Sequence, residues 1–234
     1  DEVNTDRRFN EIKVPSLIMG GWYDLYATDA FDNFTGLRER GGSELARGSK
    51  LIVGPWPHAL STSTKTGDID FGAESMLDLD SIERDWFDRW LKGEKPETEE
   101  AAIRLFVMGI NQWRDEHEWP LARTEWQSWN LHSDGNGNTS AGDGKLTPDP
   151  TVGEPVDHFT YDPEMPVQTL GGNNCCSPEI VPWGPYDQRP AEARNDVLCY
   201  TTDVLEHDLE VTGPIRLKLF ASTDGLDTDW TAML

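Results

Sequence analysis

Two residues are of a type, and at a place, to move a proton. Asp24 closes "SLIMGGWYD" and His58 closes "KLIVGPWPH". Each follows a short apolar run of buried-strand character, broken by glycine or proline. In open parallel sheets, successive strands usually lie side by side, and ligands and chemistry gather beyond their carboxyl ends. Asp24 and His58 are therefore expected to meet. An ionised carboxylate that accepts from one imidazole N–H fixes the tautomer and stabilises the imidazolium, leaving the other ring nitrogen as a general base. Plainer readings stand beside this one: Asp24 as a turn residue after two glycines, and His58 as a solvated histidine after proline.

The elements that would position the pair read as α/β over residues 1–96. "SLIMGG" and "KLIVGPW" are the two strands. Between them a helix is expected over about 28–40, capped by Thr28 or Asp29, with Ala30, Phe31, Phe34 and Leu37 as its apolar stripe and Gly41 and Gly42 at its end. A longer helix is expected over about 75–91, where Leu79, Ile82, Trp86, Phe87, Trp90 and Leu91 recur at helical spacing. "KGEKPETEEAA" reads as a linker. Beyond it the apolar period becomes two. "IRLFVMG", "EWQSWNL", "DHFTYD", "VLCYTT" and "PIRLKLFAS" are strand candidates, joined by segments rich in Gly, Asn, Asp, Ser and Pro. That pattern indicates a β-sandwich over residues 97–234. Only two clear strands in the α/β part, and a strand broken off at "DTDWTAML", suggest an internal piece of a larger protein.

Composition narrows the function classes. The chain has 234 residues and a formal charge of −23. Residues 1–96 carry −6 of it and residues 97–234 carry −17. So negative a surface repels phosphate backbones and disfavours nucleic-acid binding. No run of about 18 apolar residues is present, so no membrane span is expected. Three cysteines, Cys175, Cys176 and Cys199, make a poor disulfide framework, and no Cys/His set has zinc spacing. Reduced thiols in a cytoplasmic protein are the expectation, with no metal and no cofactor. His117, His132, His158 and His207 lie in polar segments and are expected on the solvated surface. Trp22, Tyr23 and Trp56 are candidates for a pocket wall or for core, with core favoured for Trp22.

Chain order adds meaning to the pair. α/β-hydrolases run Ser, then Asp or Glu, then His, and Asp24 before His58 fits the last two members. The nucleophile should sit in G-x-S-x-G, which these 234 residues lack; Ser43 in "RGGSELA" is a turn serine. The nucleophile is expected upstream.

The stretches "GGWYD", "LIVGPWPH", "DWFDRWLKG", "IRLFVMGINQWRDEHEWPL", "TLGGNNCC", "DQRP", "RNDVLCYTTDVLEHDLEVTGPIRLKLFAS" and "DTDW" span nearly the whole chain. In this order they resemble the CocE/NonD serine hydrolases, the cocaine esterase and X-prolyl dipeptidyl-peptidase-like family. The resemblance implies the C-terminal part of an α/β-hydrolase domain over 1–96, followed by a truncated jelly-roll sandwich over 97–234. It implies Asp24 as triad acid and His58 as triad base. Tyr26 is implied to line the pocket, and Cys175 and Cys176 to lie near the acyl site. The implied activity is acyl transfer on a small-molecule ester or peptide, and the isolated chain is expected to be inactive because the nucleophile, the cap and the tyrosine oxyanion donor are missing. The rival reading is a non-catalytic sandwich that binds sugar or protein, with Trp113, Trp126, Trp129 or Trp183 as platforms.

Overall fold

Apolar runs bounded by glycine become the sheet, and the periodic segment between them becomes the helix that covers it. The computed structural model describes residues 5, 7–94 and 101–234. Strand β1 (Leu17–Tyr23) leads into helix α1 (Ala27–Arg40), then the short helix α2 (Glu44–Arg47) and strand β2 (Lys50–Pro57). A small hairpin follows, β3 (Lys65–Thr66) and β4 (Ile69–Asp70), then helix α3 (Leu79–Phe87). Further on come β5 (Ile103–Val107), β6 (Gln112–Glu116), β7 (Asn130–His132), β8 (Lys145–Thr147) and the short helix α4 (Arg189–Glu192).

The main sheet has the order β1-β2-β5-β6. β1, β2 and β5 are parallel, and β6 returns antiparallel to β5. β2 is buried from Leu51 through Pro57, as a strand covered on both faces must be. On one face Ala30, Phe31 and Phe34 of α1 pack with Leu51, Val53, Ile103 and Leu105. Trp22 joins this core by stacking on Phe31 at 5.5 Å, which bears out its assignment to the core. Phe106 meets an aromatic set of Phe71 and Trp113, while Trp56 lies 5.6 Å from Trp113. Trp56 is 1% exposed and its indole N–H donates to the Ser75 carbonyl at 3.0 Å, so it is core and not pocket wall.

Several expectations are corrected here. Ile103–Val107, expected as a strand, pairs parallel with β2 in the main sheet, and β6, unforeseen, follows it by antiparallel pairing. The expected helix over 75–91 splits: Ser75 ends a 3₁₀ turn (Ala73–Ser75), α3 begins only after Asp78, and a wider π turn (Asp88–Lys92) ends at Gly93. Asp78 is the physical reason for the late start, since its carboxylate accepts from the Ser81 N–H at 3.1 Å as an N-cap. α1 starts at Ala27, ahead of the Thr28 or Asp29 cap, with no side-chain cap at Tyr26.

Past residue 120 the ladder is sparse. β7 and β8 form a two-stranded sheet, and isolated bridges pair Asn138 with Leu198, Lys145 with Thr201 and Gly172 with Gly184. "EWQSWNL" is strand only at its end, and "DHFTYD" and "PIRLKLFAS" are without strand structure. Ile215, Leu217 and Leu219 are 64%, 55% and 45% exposed, and among the described residues no strand pairs with this alternating segment. What knits this region is polar. The Asp157 carboxylate accepts from the Ser133 hydroxyl, the Gly137 N–H and the Tyr200 hydroxyl. Burial alone would push that carboxyl up; the three donors hold it below its ordinary value.

Candidate functional site

Asp24 and His58 come together because of a register shift. Along β1 and β2 the partners run from Leu17 opposite Lys50 to Gly21 opposite Gly54, and then Tyr23 stands opposite Pro57. β2 has therefore taken up one extra residue, in the manner of a bulge. Without that residue Asp24 would fall opposite Pro57; with it, Asp24 and His58 are the next residues on two adjacent strand ends. Gly21 makes the bulge possible: a Cβ there would lie 2.0 Å from the Trp56 carbonyl oxygen.

His58 Nδ1 lies 3.1 Å from Asp24 Oδ1, so the tautomer with its proton on Nδ1 donates to the carboxylate. Asp24 is buried, at 6% exposure, whereas the His58 side chain is 45% exposed. The acid is sheltered and the imidazole is open. Among the described residues no hydrogen bond engages Nε2. Asp24 Oδ1 also accepts from the Tyr26 backbone N–H at 2.9 Å, and the Asp24 carbonyl accepts from the Ala27 N–H at 3.0 Å. The carboxylate is thus fixed by the turn that opens α1, an Asx-type contact. Chemically, a held carboxylate behind a half-open imidazole can orient the ring and stabilise it when it takes up a proton.

The other expected site residues divide. Tyr26 is 52% exposed and its ring meets the His58 ring edge-on at 5.5 Å, so it belongs to the same surface. Cys175 and Cys176 are joined to each other as a vicinal disulfide. The reading of all three thiols as reduced is corrected for this pair. Adjacency in sequence hid this pairing, because two neighbouring cysteines enclose no other residue and do not read as a disulfide framework. Cys199 is the free thiol, and burial pushes it up. Their loop reaches the acid arm through a residue that sequence reasoning passed over. Asn173 Nδ2 donates to the carbonyls of Trp22 at 3.2 Å and Asp24 at 3.1 Å, from about 150 residues away. Only its place in "GGNNCC" hinted at it.

The remaining candidates lie apart. Ser43 caps α2, accepting from the Ala46 N–H and donating to the Lys13 carbonyl. His117, His158 and His207 are exposed, as expected. His132 is not: it is half-buried, its Nε2 2.8 Å from the Asp149 carbonyl and its Nδ1 against Glu154. The Asp149 carbonyl, and then Glu154, raise its pKa. Trp113 is packed, its N–H on the Glu74 carbonyl, and Trp126 stands 63% exposed on an irregular segment. Among the described residues no helix is long and apolar enough to cross a membrane.

Comparison with known proteins follows the same lines. Residues 1–60 match the X-Pro dipeptidyl-peptidase (S15 family) model, and residues 97–234 match the X-Pro dipeptidyl-peptidase C-terminal non-catalytic domain. The chain is 38% identical over 234 residues to a cocaine esterase of Rhodococcus sp. (strain MB1 Bresler), covering 97% of this chain and 39% of that protein. It is 26% identical to a putative serine esterase of Mycobacterium bovis, covering 88% of this chain and 30% of that one. The chain thus spans less than two fifths of the length of these relatives. Among solved structures, an α-amino acid ester hydrolase superposes with a TM-score of 0.64 at 20% identity, over 89% of this chain and 34% of its own. An aminopeptidase from a marine sediment archaeon (Thaumarchaeota archaeon) gives 0.62 at 21%, over 85% and 32%. At such identity these two speak for the fold alone.

Strands β1 and β2 fall in the S15 family match and the C-terminal region, from β5 onward, in the match to the non-catalytic domain. More narrowly, the chain belongs to the CocE/NonD family of serine hydrolases, the cocaine esterase and X-prolyl dipeptidyl-peptidase-like group.

Proposed function

We propose that this chain supplies the acid and the base of a Ser–His–Asp acyl-transfer site, and that the nucleophilic serine comes from polypeptide outside these 234 residues. The observation that carries the reading is the 3.1 Å contact from His58 Nδ1 to Asp24 Oδ1 at two adjacent parallel strand ends. His58 Nε2 takes the proton of the serine hydroxyl as it attacks the substrate carbonyl. The same nitrogen returns that proton to the leaving alcohol or amine as the acyl-enzyme forms. It then activates water to release the acid. Asp24 stays ionised throughout and stabilises the imidazolium.

The substrate in this reading is a small-molecule ester or peptide, consistent with relatives named as a cocaine esterase, a putative serine esterase and an X-Pro dipeptidyl-peptidase. No cofactor enters the steps. Tyr26 is the proposed pocket wall beside the base, and the Cys175–Cys176 pair a second wall brought in by the loop that carries Asn173. Residues 97–234 are proposed to include a jelly-roll accessory domain, with β5 and β6 on the hydrolase side of the join. A second reading applies to the segment beyond β6: exposed Trp126, with the match to a domain described as non-catalytic, favours a binding role there.

The test is stopped-flow hydrolysis of an aryl ester by the full-length protein. A burst of product that a serine-directed phosphonate abolishes, and that His58→Ala lacks, is expected. A burst by the isolated 234-residue chain, or undiminished turnover by His58→Ala, would overturn the assignment.

A further inference from the structure

We infer that Asn173 is a positioning residue for the acid of this site, an inference that rests on the triad reading above. Its side-chain amide has two N–H groups and two backbone carbonyls to give them to. One is that of Trp22, at 3.2 Å, and the other that of Asp24, at 3.1 Å.

Both acceptors are special. Trp22 falls at the irregularity between β1 and β2, between the paired residues Gly21 and Tyr23, so the ladder register skips it. Opposite the extra residue of β2 the ladder is locally disrupted, and a backbone group there needs a partner from elsewhere. The Asp24 carbonyl already accepts from the Ala27 N–H, and Asn173 supplies its second donor. The amide therefore spans the two peptides that turn the chain out of the sheet and aim the Asp24 carboxylate at His58. A donor pair of this geometry is not replaceable by a residue lacking an NH₂ group.

Asn173 is itself held from both sides. Gly172 and Gly184 exchange backbone hydrogen bonds at 2.7 and 3.0 Å. Asn174 Nδ2 ties back to the carbonyls of Gly171 and Pro182. The far end of the loop is fixed to the β3–β4 hairpin, where the Asp68 N–H donates to the Pro185 carbonyl at 2.8 Å. At that contact Gly184 approaches so closely that a Cβ would sit 2.7 Å from the Gly67 nitrogen. The loop over residues 171–185 is thus a strap from the C-terminal region, anchored at one end beside β2's exit and at the other on the acid arm. The groups facing the base are the Asp24 carboxylate and the Tyr26 ring, and the Asn173 amide donates to backbone carbonyls. It acts through the backbone that carries Asp24.

The experiment uses the full-length protein with Asn173→Leu, close to asparagine in size and lacking its donors, and Asn173→Ala. Asn173 is exposed, so neither change opens a core cavity. Rates are taken per phosphonate-titrated site over a range of pH, with His58→Ala and Asp24→Asn run alongside. Both Asn173 variants are expected to lose kcat by about ten- to hundred-fold with KM changed by less than about threefold. The acid limb of kcat/KM should move to lower pH, since a misaimed carboxylate stabilises the imidazolium less. Unchanged kcat per site and an unmoved limb, while His58→Ala and Asp24→Asn are inactive, would overturn the role of Asn173 and leave the triad standing. Fewer titratable sites at unchanged kcat per site would also overturn it, by showing a structural contact only. Full activity in His58→Ala and Asp24→Asn would remove the triad reading and this inference together.

Discussion

Asp24 Oδ1 is shared by the His58 ring and the Tyr26 backbone N–H, so the carboxylate is held from the main chain even when the side chain of residue 26 is changed. Tyr26→Ala removes only the ring that meets His58 edge-on. If the triad proposal holds, this variant of the full-length protein is expected to raise KM several-fold while kcat falls by less than about tenfold, as for lost binding contacts shared by ground and transition states. Steady-state kinetics on an aryl ester would check it; a kcat loss as large as that of His58→Ala would show that the ring belongs to the proton relay. Residue identity and chain order made Asp24 and His58 legible from sequence. Asn173 was not, because an asparagine between glycine and a second asparagine carries no sign that its donors reach the other end of the chain.

At the level of elements, the sheet was readable and its register was not. Buried runs, the glycines at their ends and the period of α1 are local signals, and β1, β2 and α1 formed where those signals pointed. The register shift at Gly21 is a relation between two strands and leaves no mark in either alone. Its steric requirement is testable. Gly21→Ala places a methyl against the Trp56 carbonyl, and overpacking of this kind costs about 1–3 kcal/mol or more. A lowered urea midpoint with unchanged slope, together with loss of activity beyond that of the unfolded fraction, is expected for the full-length protein. Wild-type stability and activity would show that the bulge relaxes without moving Asp24. The sheet that β5 joins was hidden for a related reason: "IRLFVMG" alternates as any half-buried strand does, and only its partner, β2, reveals that sheet. α3 shows the reverse error. Its spacing is helical, yet none of its residues is buried, and the Asp78 cap cut the expected helix short.

Over the whole molecule, long-range polar contacts do much of the joining that strands do not. The Arg114 guanidinium on β6 grips Glu210 with two hydrogen bonds of 2.9 and 2.7 Å, across 96 residues. Arg114 holds the Glu210 carboxyl at about 2, below its ordinary 4.5. A carboxyl depressed in the folded state stabilises fully above its unfolded value and loses that contribution as pH falls through its folded value. The Glu210 contribution should therefore be complete above about pH 4.5 and fade towards pH 2. Because this carboxylate is half-exposed, about 1 kcal/mol is the most to expect, roughly 2–4 °C in Tm for a domain of this size. Thermal melts of wild type and Glu210→Gln should differ at pH 6 and converge as the acid limit is approached; a gap that widens on acidification would contradict the sign. Net charge told the sign of the surface but not which pairs survive on it.

The central claim is that Asp24 serves the His58 base of a serine hydrolase, and the most direct measurement is kcat for aryl-ester hydrolysis by the full-length protein carrying Asp24→Asn. An amide in place of the carboxylate keeps the shape and loses the charge, and the account predicts a fall of about 10⁴-fold with the fold intact by circular dichroism. A variant that keeps more than about a tenth of wild-type turnover would contradict it, leaving Asp24 as no more than the turn residue that opens α1.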